Sequence, residues 1–218
     1  PPPPPTHPPT RQSSSAASDV YKRQHHGSLR ASGPGLEAIL RANAEGKPVV
    51  LVSGHFGQWD AVRIYLKEAH GITCGAIYRP NNNPYYDPYF VRGTEASGTP
   101  LLPKSAQGFR ELLKHLRSGG TFAFLADQVY HQGRKLPFLG EEALTTTSPA
   151  DLSIRFKALL VPAYGIRRDR ENAFDIVFED PIPRSDPETM MRQFNDSASR
   201  MIEKHPDQWL WLHRRWKG

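Results

Sequence analysis

With 218 residues, 38% of them hydrophobic and 23% charged, the chain can build one sizeable core and suits a globular fold rather than a disordered one. No stretch approaches the roughly 18 uninterrupted apolar residues of a membrane helix, and no secretory signal pattern opens the chain. The lone Cys74 excludes an internal disulfide, and the net charge of +6 is compatible with an anionic lipid or polyanion surface.

Residues 1–24 read as disordered and as a sequencing or cloning artefact. Seven of the first nine residues are proline, a serine-rich run follows, and Asp19 to Gln24 looks like the translated end of a transposon. On this reading the chain is N-terminally truncated, residues 25–33 are a linker, and 34–218 form one domain. Pro34 to Ala44 predicts a helix, with Leu36, Ile39 and Leu40 on one face. Pro48 to Val52 is a continuous apolar run, as in a strand buried on both faces. A helix follows over 57–69, with Val62, Leu66 and Ala69 inward, then a strand over 72–78. Asn81 to Pro84 is a turn leading into a helical region near 85–90. Ser105 caps a helix carrying Phe109, Leu112, Leu113 and Leu116, closed by Gly119-Gly120. Thr121 to Ala126 is another buried strand. A loop of about twenty residues, 127–147, has the length of a functional segment. Ser148-Pro149-Ala150-Asp151 starts a helix, 159–164 and 174–178 read as strands, and Asp186-Pro187-Glu188 starts a last long helix ending near His205. The alternation predicts an α/β fold: a central, mostly parallel or mixed sheet flanked by helices.

His55 stands two residues beyond a buried strand, where sites of open α/β sheets gather. Gly54 and Gly57 flank it and permit a tight turn. Asp60 lies five residues on. Within one helix that spacing would put the two side chains about 140° apart, but a turn at His55 followed by Asp60 in the first helical turn lets them meet. The carboxylate would then orient the imidazole, which could act as a general base on a hydroxyl. The bland alternative is a packed histidine and an aspartate favouring a helix N-terminus. Cys74 sits within a buried strand and reads as a packing residue.

The segment Gly54-His55-Phe56-Gly57-Gln58-Trp59-Asp60 resembles the H-x4-D/E signature of the lysophospholipid acyltransferase superfamily. More narrowly, the chain resembles the lauroyl/myristoyl acyltransferases of lipid A biosynthesis. The resemblance rests on further segments in the family's order. These are Tyr78-Arg79-Pro80-Asn81-Asn82-Asn83-Pro84, Ala126-Asp127-Gln128, Leu136 to Gly140 with Thr145 to Thr147, and Trp211 to Lys217. It implies a glycerolipid-acyltransferase-like fold and transfer of a fatty acyl group from acyl carrier protein to a hydroxyl of a lipid A precursor. His55 would be the base and Asp60 its partner, with no covalent acyl-enzyme. It also implies the cytoplasmic face of a Gram-negative inner membrane. Another glycerophospholipid or aminolipid acceptor, or an inactive module that binds anionic lipid, are the alternatives.

The resemblance makes Arg79, Asn82 and Arg92 candidates for oxyanion or substrate contacts. Gly93-Thr94-Glu95 stands where many members place another arginine. Asp127 and Gln128, after a buried strand, suit a substrate polar group or a catalytic arginine. Arg214, Arg215, Trp216 and Lys217 mix indole and cations as membrane-interface or phosphate contacts do. The packed alternative puts Trp209 and Leu212 in the core. No metal-ligand spacing, phosphate loop or dinucleotide fingerprint appears, so no cofactor is expected. A nucleic-acid partner has no support beyond the Trp/Arg mixture.

Overall fold

The computed structural model describes residues 29–168 and 173–217. The stretch expected to be disordered and artefactual, 1–24, lies outside the described residues. Two neighbouring strands set the frame, β2 (Val49–Ser53) and β5 (Thr121–Leu125), paired in parallel from Val49↔Thr121 to Ser53↔Leu125. Beyond β5 lie β3 (Cys74–Tyr78) and β4 (Leu101–Pro103), both parallel to it. On the other side β2 pairs in parallel with β8 (Leu159–Arg168). Antiparallel β9 (Ala173–Phe178) and then β1 (Leu29–Ser32) complete a seven-stranded mixed sheet, in the order β1-β9-β8-β2-β5-β3-β4. The expected α/β architecture is therefore present. The segment read as a linker contributes β1, whose alternating half-buried pattern over four residues is too short to stand out in the sequence.

The run Val49-Val50-Leu51-Val52 is apolar throughout because both of its faces are covered. Val49 and Leu51 enter a core with helices α1 (Gly35–Ala44) and α2 (Trp59–His70), through Ile39, Ala42, Val62 and Leu66. Val50 and Val52 enter a second core with α4 (Ala106–Arg117), α5 (Ser148–Phe156) and α6 (Pro187–Lys204). Alternation of side chains along a strand makes this two-sided burial possible. Each fully buried leucine or valine contributes about 1.5–3 kcal/mol.

Helix ends follow the sequence signals closely. The Ser105 side chain accepts the Gly108 amide and the Asp186 side chain accepts the Thr189 amide, each satisfying a donor that the first turn leaves open. Gly71, at φ 67°, ends α2 in the left-handed conformation. Helix α3 spans Asp87–Glu95, so the helical region expected near 85–90 starts later and runs further. Ala69, expected inward, is exposed at the last turn of α2.

The long loop 127–147 contains structure. Strands β6 (Arg134–Phe138) and β7 (Glu141–Thr145) form an antiparallel hairpin closed by Leu139 and Gly140, both with positive φ, as a two-residue hairpin turn requires. Leu136, Phe138, Ala143 and Thr145 point inward, and Pro137 sits among exposed positions. The hairpin stays apart from the main sheet and packs on α6. No helix among the described residues is long and apolar enough to cross a membrane.

Candidate active site

Because β2 and β5 are parallel neighbours, their carboxyl ends open on the same edge. The ladder continues one step beyond them, with the Ala126 amide donating to the Ser53 carbonyl at 2.8 Å. At the next step the His55 amide finds the Asp127 side chain instead, donating to Oδ2 at 2.7 Å. His55 and Asp127 thus each stand two residues past the paired positions Ser53 and Leu125, and register brings them together. Asp127 Oδ1 lies 2.7 Å from His55 Nδ1. Gly54 makes the approach possible, since a Cβ there would sit 3.0 Å from Asp127 Oδ2.

This geometry fixes the chemistry of the ring. Asp127 as a carboxylate only accepts, so Nδ1 carries the proton and Nε2 of the neutral ring presents its lone pair. The His55 side chain is 29% exposed and that of Asp127 is 3% exposed, so the imidazole faces outward from a carboxylate withdrawn from water. Burial pushes the Asp127 carboxyl up. The His55 ring, its charge, the Trp209 indole and the His55 amide together outweigh burial and hold the carboxyl below its ordinary value. Gln128 is exposed, with its side-chain nitrogen 3.4 Å from His55 Nε2.

The C-terminal segment builds the other wall. Trp209 Nε1 donates to Asp127 Oδ2 at 2.8 Å. The Leu210 amide donates to the His55 carbonyl, and the Gly57 amide to the Gln208 carbonyl. The Val129 amide donates to His213 Nε2 at 2.9 Å. Arg215 is fully buried and donates to the Leu144 carbonyl and Thr145 Oγ1, both at 2.6 Å. Burial pushes its guanidinium down to about 10 against the pull of Asp127, so it stays charged at neutral pH. Gly57, at φ 52°, closes the His55 turn against β8, where a Cβ would fall 2.1 Å from the Gly165 carbonyl.

The sequence reading gave the orienting role to Asp60, but it is Asp127 that holds Nδ1. Asp60 lies in the first turn of α2 and accepts from Arg63 Nη1 at 2.7 Å. Arg63 is itself fully buried and also donates to the Cys74 and Gly98 carbonyls, so this pair ties α2 to β3 and to the segment before β4. Burial pushes the Cys74 thiol up to about 12, in keeping with a packing role. Arg79 and Asn82 are exposed in the connection after β3, and exposed Arg92 lies in the last turn of α3. None of these three hydrogen-bonds to His55 or Asp127 among the described interactions. Of the predicted interface residues, Arg214, Trp216 and Lys217 are exposed, whereas Arg215 faces the interior. Trp209 is buried as the packed alternative has it, but Leu212 is exposed.

The site is thus a histidine two residues past a buried strand, with its ring and amide both held by an aspartate from the neighbouring strand. The sequence profile of the bacterial lipid A biosynthesis acyltransferases matches residues 17–218.

The chain belongs to this family.

A lipid A biosynthesis lauroyltransferase of Escherichia coli is 28% identical over 190 residues, covering 84% of this chain and 60% of that protein. A lipid A biosynthesis acyltransferase of Haemophilus influenzae is 24% identical over 194 residues, covering 88% and 60%. A phosphatidylinositol mannoside acyltransferase of Mycobacterium tuberculosis is 25% identical over 186 residues, covering 84% and 58%. The chain therefore spans about 60% of the length of the curated relatives it matches. The sequence reading named His55 and Asp127 as candidates and paired His55 with Asp60, whereas the ring contact is with Asp127; it gave no contact to the Trp209 indole or the His213 ring. A visible signal was that His55 and Asp127 each follow a buried apolar strand at the same distance.

Proposed function

We propose that this chain carries the catalytic region of a lipid acyltransferase, with His55 as general base and Asp127 as its orienting carboxylate. The donor is a fatty acyl thioester on acyl carrier protein, and the acceptor is a hydroxyl of a lipid A precursor. The place is the cytoplasmic face of a Gram-negative inner membrane. The observation that carries the reading is the 2.7 Å contact from Asp127 to Nδ1, which leaves Nε2 as the ring nitrogen turned away from the carboxylate. Family membership supplies the acyl-transfer class.

In the proposed step Nε2 takes the acceptor hydroxyl proton as the oxygen attacks the thioester carbonyl. The tetrahedral intermediate then expels the thiolate, which takes that proton from the imidazolium. The Asp127 charge stabilises the imidazolium between the two events. The buried Cys74 and the strand-end Ser53 are not needed as nucleophiles, so the acyl group passes directly. Gln128, 3.4 Å from Nε2, would donate to substrate oxygen in this reading, with Arg79, Asn82 and Arg92 as further candidate substrate or oxyanion contacts.

A phosphatidylinositol mannoside acyltransferase among the relatives favours testing a second acceptor class. The assay offers acyl carrier protein and coenzyme A thioesters against a lipid A precursor, a glycerophospholipid and a mannosylated phosphatidylinositol. Preferred turnover with the carrier-protein thioester and the lipid A precursor is expected, with loss of roughly 10³-fold or more in His55→Ala. Undiminished turnover by that variant would remove the proposed base. Preference for either other lipid would replace the acceptor.

A further inference from the structure

Along residues 209–217 inward and outward side chains are sharply divided. Trp209 and Arg215 are buried at the site. Leu210, Trp211, Leu212 and Trp216 turn outward, with Leu212 92% and Trp211 53% exposed. Single exposed apolar residues are common, whereas three in succession at one turn are not. The turn is also held in place. Trp211 Nε1 donates to the Pro206 carbonyl at 2.6 Å, and its ring meets Trp209 edge-on at 4.7 Å. Exposed Arg214 and Lys217 stand beside it, and no acidic residue occurs from 208 to 217. An apolar tip ringed by indole and cations has the chemistry of an anionic bilayer surface, where indole sits at headgroup depth and Lys or Arg meets phosphate.

We propose that the turn Leu210-Trp211-Leu212, flanked by Arg214, Trp216 and Lys217, docks this protein on an anionic lipid bilayer by inserting its apolar tip. The inference deepens the lipid-facing part of the preceding reading and rests on it. It also places the chemistry, because the Leu210 amide donates to the His55 carbonyl at 3.0 Å. The inserted turn is therefore hydrogen-bonded directly to the residue proposed as base.

The test is co-sedimentation of the whole chain with phosphatidylcholine vesicles, with and without phosphatidylglycerol. The protein is expected to bind the anionic vesicles, more weakly at high salt. Leu210→Ser with Leu212→Asp is expected to lower partitioning at least about tenfold, since two apolar side chains lose their buried position. Both sites are exposed, so the melting temperature should hold. Phe109→Ser, an exposed aromatic on α4, serves as control and should bind as the parent does. Parent-like binding by the double variant overturns the proposal, as does equal loss in the control or no binding by the parent. A parent dimer dissolved by the double variant assigns the tip to a second copy and also overturns it. Vesicle binding is read without turnover. Binding with no acyl transfer to any acceptor therefore removes the acyltransferase reading and leaves the docking surface standing.

Discussion

Replacing Asp127 with asparagine separates the two carboxylates that compete for the orienting role. Asp127 accepts from three donors: the His55 amide and Trp209 Nε1 on Oδ2, and His55 Nδ1 on Oδ1. An asparagine oxygen in the Oδ2 place keeps the first two. Its NH2 then faces Nδ1 and can only donate, which forces the ring proton onto Nε2. The outward nitrogen loses its lone pair while the fold keeps most of its bonds. A wrong tautomer of this kind costs roughly 10³–10⁴ in kcat, or about 4–5 kcal/mol of barrier. Asp60→Asn, by contrast, weakens the buried pair with Arg63. That change should lower stability by about 1–3 kcal/mol and leave kcat within about tenfold. The assay is steady-state acyl transfer under saturating thioester and lipid, with thermal melting on the same samples. The reasoning is refuted if Asp60→Asn abolishes turnover at an unchanged melting temperature while Asp127→Asn is nearly normal.

Trp209→Phe keeps a ring at the site but removes the donor to Asp127 Oδ2. A hydrogen bond to a buried charge is worth about 1.5–3 kcal/mol, so melting should fall accordingly and kcat should drop about tenfold as the carboxylate loses one anchor. A kcat equal to the parent's would show that two donors suffice. Arg215→Met removes two charged hydrogen bonds, to the Leu144 carbonyl and Thr145 Oγ1, which keep the Tyr130 amide and Asn195 Nδ2 as donors. The cost is about 1.5–3 kcal/mol or roughly 3–12 °C in melting temperature for a domain of this size. Calorimetry decides this one. Unchanged melting with lost vesicle binding would instead return Arg215 to the membrane-contact role that the sequence suggested.

The hairpin shows how legibility fails locally. The sequence Lys135 to Phe138 alternates outward and inward, and so does Glu142 to Thr145. Each strand buries only two side chains, Pro137 interrupts the pattern, and Leu139-Gly140 is not the usual asparagine–glycine turn. Packing on α6 supplies what the strands lack, and that contact is invisible from their own residues. Helix starts at Ser105 and Asp186 were legible for the opposite reason, because a cap is satisfied within four residues.

The carboxyl-edge position of His55 was likewise local. A continuous apolar run must be a strand covered on both faces, and the residues just past its end must lie at a sheet edge. The ordered motifs carried the family. What the sequence could not choose was the partner of His55. Five residues separate it from Asp60, and local spacing permits the two to meet. Seventy-two separate it from Asp127. That distance closes only because β5 inserts beside β2, with β3 on its far side, an arrangement set by packing across the whole sheet. Asp60 meanwhile lies three residues before Arg63 in α2, so the helix itself brings it to a buried guanidinium that needs a counter-charge. The tertiary structure thus decided which carboxylate holds the ring, and it turned the C-terminal segment into a wall with Trp209 and Arg215 inside and Leu212 outside.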